Sequence, residues 1–174
     1  FLNTLGMDSM GFSGNLSQLP NNSPDPANPG TNLPNSSGWL EDYVNPNTGV
    51  RTFGFKSRSQ HANQLGEILR SRGVSYFYHP EQDNYRFFDD PAHPELDTVH
   101  RIQYVLAHAN RQFFKLELDY LHNYSGRARF PVAAVHDASR NIIGTTPAPI
   151  SVWDMIAADP KRLMGIHMKD GFVN

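Results

Sequence analysis

The stretch Pro94–Tyr124 constrains the fold more than any other part of the sequence, because neither Gly nor Pro interrupts it after its first residue. Its apolar residues recur at spacings of three and four, which is the period of one face of an α-helix. Pro94 suits the first position of a helix, where a missing N–H costs nothing. The pattern predicts a single long helix on which the rest of the chain packs. The apolar stripe consists of Leu96, Val99, Ile102, Leu106, Ala109, Phe113, Leu116 and Tyr120.

Composition excludes several kinds of protein. The chain has 174 residues, a net charge of −2 and no cysteine. The missing cysteines exclude disulfide frameworks, thiolate zinc sites and cysteine nucleophiles, and the charge disfavours nucleic acid as a partner. No apolar run is long enough to span a membrane. The chain begins with Phe1 and shows no signal peptide, so localisation stays open, and nothing indicates a cofactor.

Residues 1–48 differ from the rest, because Asn, Pro, Ser and Gly dominate and no Lys or Arg occurs before Arg51. A segment of this composition cannot bury enough apolar surface to fold by itself. We expect an extended arm over 1–48 and an α+β globular domain over 49–174. The arm is expected to dock on other protein chains in a homo- or hetero-oligomeric assembly. Its predicted partner-binding residues are Leu2, Leu5, Met7, Phe12, Leu16, Leu19 and Leu33.

The order of elements after the arm predicts a ferredoxin-like fold. Strand patterns alternate with helix patterns in the order β-α-β-β-α-β, which is the split βαβ arrangement. The second helix is longer than this fold needs, and an extra hairpin strand follows the fourth strand. The predicted strands are 50–56, 74–79, 85–88, 127–136 and 141–145, and the predicted helices are 57–72, 94–124 and 152–158. Ser57 and Ser151 are the expected N-caps, and Gly73 is the expected residue after the first helix.

Aromatic residues suggest one possible binding surface. Phe53, Phe55, Tyr85 and Phe87 lie on the first and third predicted strands, which are central neighbours in a ferredoxin-like sheet. An exposed row of this kind stacks the bases of single-stranded nucleic acid. The alternative is that the same side chains pack against the helices.

Residues 50–88 carry the runs VRTFGFKSRSQHA, LGEILRSRGV and YRF. In these runs the segment resembles the SPOR-type peptidoglycan-binding domain, which is also ferredoxin-like. The resemblance implies a module that binds a peptidoglycan strand. It carries no individual binding residue over to this chain.

No set of residues stands out as catalytic or metal-binding. The chain has eight histidines, and no pair has metal-ligand spacing on one helix face, so each is expected to be a surface or structural residue. Glu117 and Asp119 lie two apart on the predicted helix and would face different directions. We therefore expect no catalytic residue and no metal ligand. The histidines are His61, His79, His93, His100, His108, His122, His136 and His167.

Three functions remain open at this stage. The first is a non-enzymatic structural subunit of a virion, secretion or envelope machine that docks through the arm. The second is a small ferredoxin-like module that binds a peptidoglycan strand or single-stranded nucleic acid. The third is a hydrolase in which the fold brings histidines and carboxylates together. The sequence favours the first, and the convergence of two or more histidines with a carboxylate would favour the third.

Overall fold

The computed structural model describes residues 9–13, 40–44, 46–47, 49, 51–88, 90, 92–112 and 114–168. Its centre is a four-stranded sheet in the order β1-β4-β5-β8, with strands numbered in chain order. The three pairings in this sheet are all parallel. Parallel neighbours need a crossover connection that returns the chain to the same end of the sheet. The strands are β1 (Ser9–Ser13), β4 (Ser75–His79), β5 (Phe114–Asp119) and β8 (Leu163–His167).

Helices and two small strand pairs fill the connections. Helix α1 (Phe55–Ser71) precedes β4, α2 (Arg101–His108) lies between β4 and β5, and α3 (Tyr120–Arg129) begins directly after β5. Helix α4 (Val152–Ala158) precedes β8. The antiparallel pairs are β2 (Tyr43–Val44) with β3 (Arg51–Thr52) and β6 (Ala134–His136) with β7 (Ile142–Thr145). Short 3-10 turns cover Gln82–Tyr85, Pro94–Leu96 and Pro160–Arg162.

The core forms where the helices meet the parallel sheet. Phe114, Leu116 and Leu118 of β5 are buried, while the alternate residues Lys115 and Glu117 are half-buried. This period of two is the pattern of a strand. Helix α1 packs against β4, β5 and α2. The strand and its neighbours therefore supply the apolar face that the helices cover.

The predicted ferredoxin-like fold is wrong. Its sheet would contain the predicted strand 50–56 and the antiparallel hairpin 74–88, whereas the sheet observed here is parallel throughout. Among the described residues of the first predicted strand, Arg51–Thr52 form β3, which pairs with β2 outside the main sheet, and helix α1 begins at Phe55. Residues 85–88 form no strand, and Phe87 makes a single bridge to His100. The local β-α-β-β pattern could not show which strands become neighbours.

The predicted long helix is also wrong. Helix α2 ends at His108, and β5 begins six residues later at Phe114. The helix end is held by a side chain of another helix. Asn63 on α1 donates to the His108 carbonyl at 3.0 Å and accepts from the Asn110 N–H at 2.6 Å. A cap supplied from 45 residues away leaves no local stop signal in the sequence.

Several local predictions are confirmed. Helix α1 is followed by Gly73 at a φ of 70°, in the left-handed region that glycine favours. Strand β4 and α4 with its Ser151 cap also occur where the sequence places them. The predicted pairing of the fourth strand with 141–145 occurs as β6 with β7, but residues 127–129 of that predicted strand belong to α3. The predicted N-cap Ser57 is wrong, because α1 begins at Phe55 with Gly54 as its cap. Among the described residues no helix has the length and hydropathy of a membrane span.

Candidate metal centre

Three strands of the parallel sheet end in residues of types that commonly serve as metal ligands. His79, Asp119 and His167 are the last residues of β4, β5 and β8. The carboxyl ends of parallel strands lie at one edge of a sheet, and this edge is the usual location of ligand sites in β/α folds. The register places Asp119 directly beside His167. The fold therefore assembles a site from residues that are remote in sequence.

The donor atoms of these three residues form a compact triangle. Asp119 Oδ2 lies 3.1 Å from His79 Nε2 and 3.5 Å from His167 Nδ1. His167 Nδ1 lies 3.3 Å from His79 Nε2. Atoms bound about 2.1 Å from one tetrahedral ion are separated by about 3.4 Å. The triangle thus has the ligand-to-ligand spacing that a single divalent ion requires.

A second group of donors adjoins the first through His79. Glu81 lies two residues beyond the end of β4, and its Oε1 is 3.7 Å from His79 Nδ1. Its Oε2 is 3.0 Å from His122 Nδ1. His122 lies in the first turn of α3, where its backbone N–H donates to Asp119 Oδ1 at 2.9 Å. His79 thus directs one ring nitrogen toward each group, and the residues His79, Glu81 and His122 form a second candidate ligand set.

Burying the polar side chains of these two donor groups costs free energy unless each polar atom has a partner. Asp119 is completely buried and His79 is only 6% exposed. In the described part of the chain, His79 Nδ1 and His122 Nδ1 are buried without a hydrogen-bond partner, because the contact to Glu81 lacks hydrogen-bond geometry. Each unsatisfied buried polar atom costs about 1–3 kcal/mol. The two unsatisfied nitrogens belong to the second donor group and face Glu81, so a cation bound there would satisfy them. The triangle of His79 Nε2, Asp119 Oδ2 and His167 Nδ1 fits a metal ion by its spacing and by the buried charge of Asp119. The His167 side chain is 44% exposed and marks the open side of the site.

Residues behind the site hold its ligands in place. Tyr85 is fully buried, and burial raises the pKa of its hydroxyl, with the Asp119 carboxylate adding to the effect. The phenol therefore stays neutral beside the site. Asn123 donates to the Ile150 carbonyl at 3.2 Å and accepts from the Val152 N–H at 3.1 Å. These two bonds tie α3, and with it His122, to the start of α4.

The aromatic residues predicted as a sheet-face surface lie elsewhere. Phe55, Tyr85 and Phe87 are buried at 0%, 0% and 4% exposure, and none lies in the parallel sheet. Phe53 is 44% exposed and precedes α1. Phe55, Tyr85 and Phe87 are buried because the chain around them forms helix α1, a 3-10 turn and a single bridge in place of the predicted strands. The structure therefore contains no exposed aromatic platform built from these four residues.

The predicted partner-binding residues fall almost entirely outside the described residues. Phe12 belongs to β1, whose backbone pairs with β4, with Phe12 opposite Tyr78. Partner binding by this arm stays a prediction. The six that lie outside the described residues are Leu2, Leu5, Met7, Leu16, Leu19 and Leu33.

Sequence reasoning treated every histidine as structural, and four of them have the side-chain hydrogen bonds expected of that role. His93, His100, His108 and His136 are bonded to neighbouring side chains or carbonyls. His79, His122 and His167 instead converge with carboxylates. A partial signal existed in Asp119-x-x-His122, which is an Asp N-cap followed by a first-turn histidine. It was missed because the predicted long helix placed Asp119 in a helix interior.

Comparisons with known proteins give little further information. No family model matches the chain, and no curated protein matches it. A solved structure, a sugar phosphate isomerase/epimerase from Parabacteroides distasonis ATCC 8503, is similar over 68% of this chain at 20% identity and a TM-score of 0.42. The matched region is 45% of that structure, so the chain spans less than half of its length. A likeness of this degree does not establish a shared fold.

The expected structural subunit of a virion, secretion or envelope machine is wrong. The described residues group histidines and a buried carboxylate at the carboxyl edge of a parallel sheet, where ligand sites usually lie. The peptidoglycan or nucleic-acid module is wrong as well, because it depended on the ferredoxin-like sheet. The third alternative, a hydrolase, expected histidines to converge with carboxylates, and the described histidines His79, His122 and His167 do so with Asp119 and Glu81.

Proposed function

We propose that this chain carries the divalent-metal site of an enzyme that acts on a small, oxygen-rich substrate. The observation that supports the proposal is the triangle of His79 Nε2, Asp119 Oδ2 and His167 Nδ1, with edges of 3.1–3.5 Å at the ends of three parallel strands. One fully buried carboxylate beside two imidazoles is an expensive arrangement for a purely structural purpose. A bound cation offsets that cost and leaves the exposed side of His167 for a substrate.

The donor set restricts the metal. Two imidazole nitrogens and one carboxylate oxygen suit Zn²⁺, Mn²⁺ or Fe²⁺, and the chain has no cysteine that would favour a softer ion. Three protein ligands leave at least one position open, as catalytic sites require. When bound, such an ion polarises a carbonyl or hydroxyl oxygen.

The residues around the triangle supply the proton chemistry. Glu81 is 30% exposed at its side chain and reaches toward both His79 and His122. Its Oε2 lies 3.0 Å from His122 Nδ1, and a small rotation of either side chain would align the two for proton transfer. Asp119 Oδ1 accepts the His122 N–H in the first turn of α3, and Asp119 Oδ2 lies beside the proposed metal ligand His79. The pair Glu81–His122 is therefore the proposed acid–base pair.

This arrangement favours proton transfer next to a carbonyl over chemistry that needs a protein nucleophile. Both donor groups consist of histidines and carboxylates, which can hold a metal ion and transfer protons, and the chain has no cysteine. Removal of a proton beside a polarised carbonyl is the first step in isomerising or epimerising a sugar-like compound. The sugar phosphate isomerase/epimerase named above indicates which compounds to assay first, while the proposal itself rests on the site.

Metal binding is the first test. Isothermal titration of the purified chain with Zn²⁺ and Mn²⁺ should show one ion per chain. Asp119→Asn and His167→Gln should each weaken the affinity by about tenfold or more. His93→Gln is the matched control, because His93 pairs with Glu95 and belongs to neither donor group. Absence of binding, or equal affinity in all four proteins, contradicts the proposal.

Proton exchange tests the acid–base pair. Incubation with a panel of aldose and ketose phosphates in deuterated water should place deuterium at the carbon beside the carbonyl. Glu81→Gln should reduce this exchange by about 10²-fold or more, the usual contribution of a positioned base. If metal binds as proposed but no panel member exchanges, the substrate class is wrong while the metal site stands.

A further inference from the structure

A separate cavity of about 340 Å³ lies at the C-terminal end of α3. Its walls come from residues 86–88, from the end of α3 with Phe130, and from β6. This volume is in the range of small-molecule sites. Phe87 and Phe88 are 4% and 2% exposed and provide an apolar wall. None of the candidate metal ligands lines this cavity.

Two arginines meet over one aromatic ring at this cavity. The Arg86 guanidinium carbon lies 4.7 Å from the centre of the Phe130 ring, and that of Arg129 lies 5.6 Å from it. Within the part of the chain that the structure describes, neither guanidinium is within ion-pair distance of a carboxylate. Stacking on the ring positions the two positive groups without neutralising them.

The carboxylate of Asp97, which lies in the cavity wall, is already hydrogen-bonded to His136. Asp97 is 4% exposed, and its Oδ2 accepts from the His136 backbone N–H at 3.0 Å and contacts His136 Nδ1 at 2.8 Å. This pairing fixes the His136 imidazole and places the Asp97 carboxylate against it. The cavity therefore has a positive balance, with Arg86 and Arg129 as the groups available to a ligand.

We propose that this cavity binds the oxyanion group of a small organic molecule that has an apolar body. Arg86 and Arg129 would hold the carboxylate or phosphate, since guanidinium groups match the geometry of both. The Phe87 and Phe88 wall would contact the apolar body. The alternative is that the two arginines only cover Phe130, in which case no anion is preferred.

Titration with defined probes distinguishes these cases. Phenyl phosphate and benzoate each carry one oxyanion, a phosphate or a carboxylate, on a phenyl ring. Benzyl alcohol has the same ring and no charge. Binding is followed by calorimetry in the presence of EDTA, so that a metal ion cannot hold the probe. At least one of the two anions should bind, benzyl alcohol should not, and the stronger anion identifies the preferred group. Failure of both anions to bind at millimolar concentration overturns the proposal.

Variants locate the binding. Arg86→Gln and Arg129→Gln should each weaken the affinity for the better anion by about tenfold, as expected for loss of one charge-assisted hydrogen bond. Arg127→Gln is the matched control, because Arg127 is an exposed residue of the same helix that does not line the cavity.

Asp119→Asn should leave anion binding unchanged, which separates this cavity from the metal centre. If Arg127→Gln weakens binding as much as Arg129→Gln does, the attraction is general and the site is disproved. Arg129 is exposed, so its variant tests the proposal even if Arg86→Gln fails to fold.

Discussion

Asp119 performs two roles with its two carboxylate oxygens. Oδ1 accepts the His122 N–H and caps α3, while Oδ2 lies between His79 and His167. Asparagine can keep the cap, because Asn and Asp are equally good N-cap residues. It removes the negative charge that a cation needs. The two roles can therefore be separated by choosing the substitution.

We expect Asp119→Asn to leave the free energy of unfolding nearly unchanged without metal, and Asp119→Ala to lower it by about 0.5–2 kcal/mol through loss of the cap. Both variants should lose metal affinity. Chemical denaturation in EDTA measures the first effect and metal titration the second. Equal metal affinity in Asp119→Asn and the natural chain would show that Oδ2 is not a ligand.

At the scale of elements, α3 is held close to the 3-10 turn Gln82–Tyr85 that follows β4. Gly126 makes this approach possible. A Cβ at this position would meet the Gln82 carbonyl oxygen at 2.8 Å and Tyr85 Cβ at 2.9 Å. These contacts are too short, and a backbone atom is one of the two partners, so the helix would have to move.

Gly126→Ala should therefore lower the free energy of unfolding by about 1–3 kcal/mol, the usual cost of overpacking. Gly144→Ala is the matched control, because a Cβ at Gly144 meets nothing within 4 Å. Denaturant midpoints of the two variants provide the measurement. A stable Gly126→Ala protein would mean that α3 and the turn are farther apart than described.

Helix α2 contributes a pH-dependent component of stability through His100. His100 is 3% exposed, its Nδ1 contacts Gln103 Oε1 at 2.8 Å, and its Nε2 accepts from the Ile150 N–H at 3.3 Å. Burial lowers the pKa of this imidazole below the usual value for histidine, about 6.5. The unfolded chain therefore binds more protons than the folded chain below that pH, and stability falls as pH decreases.

The expected result is a free energy of unfolding that declines below about pH 6.5. His100→Gln should flatten this decline, whereas replacing the exposed His61 with Gln should not. Denaturation curves between pH 7.5 and 5 make the comparison. An unchanged slope in His100→Gln would assign the pH dependence to other groups.

The sequence predicted elements correctly where their signals are local. Helix α4 has its own capping box, in which Ser151 and Asp154 exchange hydrogen bonds three residues apart, and it was placed without error. The end of α2 depends on Asn63 of another helix, so the helical period ran on into β5. Leu116 is buried in β5, but it also lies three residues after Phe113 and four before Tyr120, which is helical spacing. The strand pattern was therefore read as part of the helix.

The metal centre could not be predicted from local sequence patterns either, because its ligands are remote in sequence. His79 and Asp119 are 40 residues apart, and His79 and His167 are 88 apart. Their proximity depends on β4 and β8 both being neighbours of β5 in a parallel sheet. The ferredoxin-like expectation placed His79 at the end of a hairpin strand and left His167 in an unassigned tail. Without the correct strand order, no spacing of residues could indicate these ligands.

For the whole molecule, the parallel sheet is the element on which stability and the site both depend. Phe114 is fully buried in β5, with ring centres 5.3 Å from Tyr76 and 5.8 Å from Tyr78 on the neighbouring strand. Removing this ring opens a cavity between the two strands that carry His79 and Asp119. The same change should therefore affect folding and the metal site together.

Phe114→Ala should lower the free energy of unfolding by about 3–5 kcal/mol, the range for a buried Phe. Trp153→Ala provides the contrast, because Trp153 is 63% exposed and its loss should cost less than about 1 kcal/mol. Urea denaturation of both variants gives the comparison. Similar losses in the two would contradict the described core.

The metal centre is the central claim, and a crystal structure of the chain soaked in Zn²⁺ tests it most directly. An anomalous difference map recorded at the zinc edge would locate the ion without assumptions about its ligands. We expect one peak about 2.0–2.2 Å from His79 Nε2, Asp119 Oδ2 and His167 Nδ1. A map without a peak at these atoms, or with a peak only at unrelated surface residues, would contradict the account.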